Sequence, residues 1–164
     1  MRKAFLIITL ILSSLMLSYC AAPEKEPTVS MFDLSQKMNE AHGKQGEMAY
    51  ASSSDSNAKD EFAYVSDMDY SKVEAFFISY AKDGKGNADE IVVIAVKDLN
   101  DVNEAEASLK EHVKYRIELY TSYDPGQVPA LEDALIFTQG QYAVLIVSEN
   151  ADAVAKAFGD FLKG

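Results

Sequence analysis

Two stretches of the chain decide the fold: EAFFISYA at residues 74–81 and DEIVVIAVK at residues 89–97. Both are rich in aromatic and β-branched side chains, which favour strands. The segment between them carries Gly84 and Gly86, a turn signal. The two stretches are therefore predicted to pair as a hairpin. The second is apolar without a break from Ile91 to Val96, which predicts cover on both faces or a central place in the sheet.

A second hairpin is predicted closer to the C-terminus. Residues 134–138 and 142–148 are again apolar and β-branched, and Gln139-Gly140-Gln141 separates them. The earlier segment 46–57 is small and polar and is predicted to be a loop or a weak strand.

Three main helices flank these hairpins. The first follows Ser30 as cap and ends at Gly43; the longest starts at Asp101 and ends at Tyr123-Asp124-Pro125-Gly126; the last follows Asn150. Residues 58–65 are predicted to hold a further short helix. Hairpins separated by helices predict an α+β fold with a mainly antiparallel sheet of about four strands in two hairpins, packed with three main helices.

The N-terminal twenty residues predict export and a lipid anchor. Arg2 and Lys3 are followed by an apolar stretch to Leu17, and the only cysteine, Cys20, closes it. Leu17-Ser18-Tyr19-Cys20 resembles the lipobox of bacterial lipoproteins, although Tyr19 stands where that family usually has a small residue. Cleavage before Cys20 and lipid on its thiol are the favoured interpretation; an uncleaved anchor and simple secretion are the alternatives. The predicted parts are a signal peptide at 1–19, a lipidated cysteine and tether at 20–29, and one domain at 30–164.

The charge excludes some partners. Cleavage would remove Arg2 and Lys3 but no acid, which leaves 13 basic and 26 acidic residues and a net charge of −13. Nucleic acid is not an expected partner, because phosphate contacts need clustered Lys and Arg. Lipid on Cys20 is the expected membrane attachment, and we expect a monomer at the extracytoplasmic face of the cell membrane.

Candidate catalytic and metal-binding residues are few. His42 and His112 lie in polar surroundings and are predicted to be surface histidines, and no metal or cofactor is expected. The alternating polar residues from Asp83 to Asp89 lack the spacing of a calcium loop and are predicted to be a solvated turn. Asp67 and Asp69 are predicted to cap a turn rather than to act as an acid/base pair. No serine lies in a Gly-x-Ser-x-Gly motif, so no catalytic residues are assigned.

A candidate binding patch lies at the end of the longest helix. Tyr115, Arg116, Tyr120 and Tyr123 cluster there, just before Pro125. Tyr and Arg are favoured at binding hot spots. The plainer interpretation is a helix end packed on the sheet with tyrosine hydroxyls at its rim.

An ordered set of short motifs resembles a family of bacterial lipoproteins that carry domain of unknown function 4358. The motifs are Val73-Glu74, Asp89-Glu90-Ile91, Tyr123-Asp124-Pro125, Leu131-Glu132-Asp133-Ala134 and Ser148-Glu149-Asn150-Ala151-Asp152. The resemblance runs from about residue 30 to residue 163. It implies the fold and the location, and it brings no activity and no catalytic residues.

The sequence therefore predicts a membrane-anchored extracytoplasmic lipoprotein that serves as a binding or interaction module. Its partner would be an envelope protein or a small ligand. The alternative is an envelope-acting hydrolase or accessory factor, with Asp67 and Asp69 as its candidate acids.

Overall fold

The computed structural model describes residue 25 and residues 29–43, 48–82 and 87–164. The elements run in the order α1 (Met31–His42), β1 (Met48–Ser52), α2 (Ala58–Phe62), β2 (Val73–Ala81), β3 (Glu90–Val96), α3 (Val102–Tyr123), α4 (Val128–Glu132), β4 (Leu135–Gln139), β5 (Tyr142–Val147) and α5 (Ala151–Lys163). The predicted α+β class and the three main helices are confirmed.

Within the described residues, five strands form one antiparallel sheet in the order β1-β2-β3-β5-β4. The two predicted hairpins, β2–β3 and β4–β5, lie side by side with β3 and β5 at the centre. Every residue of β3 and β5 is buried, as the unbroken apolar run in β3 predicted. The fifth strand, β1, pairs with the outer side of β2, so the segment left open as loop or weak strand contains an edge strand.

Helices cover both faces of the sheet and bury two cores. On one face α2, α3 and α4 pack through residues such as Phe62, Leu109 and Leu131. On the other face α1 and α5 pack through Leu34 and Phe158. Because successive side chains of a strand point to opposite faces, β3 supplies Val92 and Ile94 to the first core and Ile91 and Val93 to the second. The result is three layers: helices, sheet, helices.

The helix ends follow the predicted signals in part. Ser30 accepts a hydrogen bond from Asp33 N at the start of α1, and Gly43 ends the helix with a φ of 83°, which favours glycine. Asn150 occupies the cap position of α5 but makes no capping bond. Its side chain instead donates to the carbonyl oxygen of His42 at 3.1 Å. Asn150 therefore links the end of α1 to the start of α5.

One end of the sheet collects the polar groups considered below, and we call it the polar end. It contains the C-terminus of α1 at His42, the end of β2 at Ala81, the start of β3 at Glu90 and the end of β5 at Val147. The start of α1 lies at the opposite end, about 18 Å away along the helix axis by the rise of 1.5 Å per residue.

Candidate functional site

Two consecutive acids at the start of β3 each contact a histidine. Asp89 and Glu90 are both buried, and their side chains point to opposite faces of the sheet. Asp89 Oδ2 lies 3.5 Å from His42 Nε2 on the α1 face. Glu90 Oε2 lies 2.8 Å from His112 Nε2 on the α3 face. The polar end therefore holds two acid–histidine contacts, one on each side of the sheet.

Both histidines were predicted to be surface residues, and this prediction is wrong. His42 is 2% exposed, and the side chain of His112 is 10% exposed. The polar residues beside each histidine in the sequence indicated an exposed helix face. In the structure, each histidine ring instead faces a buried carboxylate of the sheet. Since buried polar groups are retained where they find partners, the acids of β3 account for both placements.

Glu90 stands at the centre of a three-residue cluster. Its Oε2 contacts His112 and also accepts a hydrogen bond from Arg116 Nη1 at 2.9 Å. Arg116 Nη2 donates to the carbonyl oxygen of Ala88 at 3.1 Å. Arg116 and His112 lie one helical turn apart on α3, which lets both reach the same carboxylate.

The cluster keeps Glu90 ionised. Burial alone would raise the pKa of Glu90, but the hydrogen bond from His112 and the charge of Arg116 together outweigh it and lower the pKa. Glu90 and Arg116 therefore form a buried ion pair whose side chains are only 8% and 12% exposed.

This cluster forms part of the wall of a cleft of about 490 Å³ between α2, α3 and the end of the β2–β3 pair. Glu61, Tyr64, Tyr80 and Tyr120 line it together with the cluster. A shallower groove between α2 and α3 shares Tyr64 and His112 with the cleft and adds Asp67, Glu111 and Tyr115. We call the two together the tyrosine cleft.

The structure divides the predicted patch at the end of α3. Arg116 and Tyr120 line the cleft, with the guanidinium carbon 5.4 Å from the centre of the Tyr120 ring. Tyr120 Oη also donates to the carbonyl oxygen of Asn87 at 3.3 Å. Tyr115 lines the adjoining groove. Tyr115 and Tyr123 are 64% and 68% exposed, and Tyr123 contacts Tyr120 edge to face.

On the opposite face, His42 also contacts Ser148, which the sequence indicated only as part of a family motif and not as a candidate site residue. His42 Nδ1 lies 2.7 Å from Ser148 Oγ. Ser148 follows β5 directly, and its Oγ accepts a hydrogen bond from Asn150 N at 3.0 Å. His42 thus contacts both Asp89 and Ser148, although the three residues come from three separate segments. No local spacing in the sequence could have indicated this.

Asp67 and Asp69 lie at the turn before β2, where Asp69 has a structural role. Asp69 Oδ1 accepts from Ser71 N at 2.9 Å and so caps the turn over Tyr70–Lys72, as predicted. Backbone and side-chain hydrogen bonds from Ser71 lower the pKa of Asp69. A carboxyl with a lowered pKa is a poor proton donor near neutral pH. Asp67 is exposed on the rim of the groove.

Other predicted features fall partly or wholly outside the described residues. Cys20, residues 1–24 and the Asp83 and Lys85 positions of the weak calcium pattern belong to this group. Among the residues that the structure describes, no three His, Cys, Asp or Glu side chains are grouped as metal ligands. Within the same residues, no helix is both long and apolar enough to cross a membrane.

Fold and site together define a small three-layer α+β domain with a tyrosine-lined cleft and two buried acid–histidine contacts. The chain belongs to the family described as Domain of unknown function (DUF4358), whose sequence profile matches residues 46–148. The resemblance predicted from the short motifs is therefore confirmed. No curated protein and no solved structure matches the chain.

Proposed function

We propose that this protein is a lipid-anchored extracytoplasmic binding module and that its tyrosine cleft receives a cationic group of an envelope protein or a small ligand. The observation that carries the proposal is the lining of the cleft. It combines exposed tyrosine rings with carboxylates on a strongly acidic protein.

The charges around the cleft favour a cationic partner. Leaving aside Asp89, whose carboxylate contacts His42 on the other face, the lining holds the four carboxylates of Glu61, Asp67, Glu90 and Glu111. Arg116 is the one lysine or arginine among these lining residues, and Glu90 neutralises it. With neutral histidine the lining carries a charge of −3. Such a surface attracts cations and repels acidic partners.

The tyrosines supply the second part of the recognition. Tyr64 and Tyr115 are 77% and 64% exposed and flank the groove between α2 and α3. A ring face attracts a Lys or Arg cation with about 0.5–2 kcal/mol. The protein shows this chemistry internally, because Arg116 already lies over Tyr120 while Glu90 balances its charge.

The proposed anchor leaves the cleft accessible. The tether would join the domain at Val29 and Ser30, next to the start of α1. The cleft lies at the polar end, beyond the other end of that helix. With nine tether residues reaching roughly 30 Å when extended, a lipid on Cys20 would let the cleft stand clear of the bilayer. The partner would then be met in the envelope rather than in the membrane.

Replacing Tyr64 and Tyr115 together with alanine is expected to weaken binding of a ten-residue lysine peptide by about 5- to 100-fold. Each ring contributes cation–π attraction and apolar contact area. Isothermal titration calorimetry on the full-length protein in detergent would measure the change. The matched control is Phe32→Ala, which removes an exposed aromatic ring, 57% exposed, from the start of α1.

Three further results are expected from the same titrations. Phe32→Ala binds as the wild type does, a ten-residue glutamate peptide does not bind, and added salt weakens lysine-peptide binding. Equal affinity of the double tyrosine variant and the wild type would overturn the assignment of the cleft.

Replacing Cys20 with alanine is expected to abolish incorporation of radiolabelled palmitate into the protein. The reason is that the Cys20 thiol is the proposed site of a diacylglyceryl group, whose two acyl chains are enough for stable anchoring. Metabolic labelling of expressing bacteria followed by immunoprecipitation measures the incorporation. Absence of label from the wild type, or equal label in the variant, would refute the lipid anchor and leave the cleft proposal standing.

A further inference from the structure

We propose that Ser148, His42 and Asp89 form a nucleophilic site that hydrolyses neutral or cationic carboxylic esters. The site lies on the α1–α5 face, apart from the tyrosine cleft. Three features support it: the contacts among the three side chains, the access to Ser148 and the backbone amides beside it.

The three side chains are in the order that nucleophile activation requires. Asn150 N–H donates to Ser148 Oγ at 3.0 Å, and His42 Nδ1 lies 2.7 Å from the same oxygen. In the active form that we propose, the serine hydroxyl donates its proton to Nδ1. With Nδ1 as acceptor, the neutral ring carries its proton on Nε2. That nitrogen faces Asp89 Oδ2 at 3.5 Å. A base touching the nucleophile and oriented by a third group is the general form of such sites.

The ring is turned relative to the serine-protease arrangement, in which Nε2 faces the serine. Either ring nitrogen can accept a proton, so the turned ring preserves the chemistry. The contact between Nε2 and Asp89 is longer than a normal hydrogen bond, and Nε2 has no hydrogen-bond partner among the described residues. Such contacts are often long in the absence of substrate and shorten as the ring gains charge.

Ser148 is reachable from outside although His42 is buried. It lines an open cavity of about 500 Å³ between α4 and the start of α5. Small side chains at Ala130, Ala151 and Ala153 leave room there for an acyl group. The buried base thus contacts a half-buried serine that lines an open cavity.

The start of α5 provides the stabilisation of negative charge. The first backbone bond inside this helix runs from Val154 N to Asn150 O. The amides of Ala151, Asp152 and Ala153 precede it and have no partner within the helix. All three residues line the same cavity as Ser148. Amides at a helix start stabilise an oxyanion that forms beside them.

The reaction balances with water as the second reactant. Ser148 Oγ bonds to the acyl carbon while its proton passes to His42 Nδ1. The tetrahedral oxyanion then collapses, the ester C–O bond breaks, and the leaving alcohol takes the proton from His42. Water, deprotonated by His42, releases the acid and restores Ser148. Asp133, Glu149 and Asp152 line the cavity, so anionic substrates are disfavoured.

A fluorophosphonate probe with a neutral tag tests the site on the unaltered full-length protein in detergent. Peptide mass spectrometry is expected to find the phosphonyl adduct on Ser148. Ser148→Ala abolishes labelling and p-nitrophenyl acetate hydrolysis, while Ser122→Ala, which changes an exposed serine of α3, affects neither. Asp89→Asn slows labelling about 100-fold or more, the scale of positioned acid–base catalysis, in protein shown by circular dichroism to be folded.

The same measurement can overturn the proposal. If a serine esterase in the same tube is fully labelled and Ser148 is unmodified, the three residues serve only to hold α1 against β5. Labelling at another residue in place of Ser148 would overturn the proposal equally. Because the adduct is sought on the wild-type chain, loss of stability in a variant cannot imitate either result, and lysine-peptide binding at the tyrosine cleft is independent of both.

Discussion

Replacing Glu90 with glutamine is expected to lower the free energy of unfolding by about 3–5 kcal/mol. The substitution keeps the shape of the side chain and removes the charge that balances Arg116. Removing one partner of a buried ion pair costs that much because the other charge is left uncompensated in the interior. Urea unfolding followed by circular dichroism measures the loss.

A surface pair provides the matched control. Glu40 and Lys37 on α1 form an ion pair whose side chains are 67% and 62% exposed. Glu40→Gln makes the same chemical change and is expected to leave the unfolding midpoint unchanged, since exposed pairs contribute little. An equal loss of unfolding free energy in the two variants would show that the burial of Glu90 and its contacts with His112 and Arg116 add no stability.

The loss at Glu90 should depend on pH in a defined direction. The pKa of Glu90 is lowered in the folded state from its ordinary value of 4.5. The unfolded chain therefore binds the proton more readily. The stabilisation by Glu90 is complete above about pH 4.5 and is lost as the pH falls through the lower folded-state pKa. The difference between wild type and Glu90→Gln should shrink accordingly between pH 6 and pH 3.

The sheet was predictable because its signals are local. The runs around Ile91–Val96 and Val144–Val147 are apolar enough to indicate central strands, and the Gly140 turn fixes the hairpin of the second run with β4. Strand β1 gave a weaker signal, since MAYAS is only five residues long and lies within the small and polar segment 46–57. Its place was decided by pairing with β2, a contact across tens of residues that no local pattern encodes.

The candidate sites were much less predictable for the same reason. His42 and Asp89 are 47 positions apart, and Ser148 lies 106 positions from His42. Only the meeting of α1, β3 and β5 at one end of the sheet brings them together. Arg116 and Tyr120 were predictable as part of a patch because they cluster with Tyr115 and Tyr123 at the end of one helix, which the sequence does show. Their link to Glu90 again needed the fold.

The two acid–histidine contacts give the polar end its chemical character. Asp89 and Glu90 occupy neighbouring positions where β3 begins, so the alternation of the strand sends one to each helix layer. The Glu90–His112 contact lines the tyrosine cleft, and the Asp89–His42 contact adjoins Ser148. A change in the register of β3 by one residue would exchange the two faces, so the central position of this strand sets both candidate sites at once.

Replacing Phe158 with alanine is expected to lower the free energy of unfolding by about 3–5 kcal/mol, the range for buried aromatic truncations. Phe158 is fully buried in the core under α5. Its ring meets Phe137 and Tyr142 edge to face at 5.6 and 5.7 Å, so the cavity left by the ring would be lined by two strands and could collapse only in part. Thermal and urea unfolding measure the effect.

Phe161→Ala makes the same truncation at a half-buried position of the same helix and should lower the free energy of unfolding by less than half as much. Equal losses would mean that α5 is not held against the sheet mainly through Phe158.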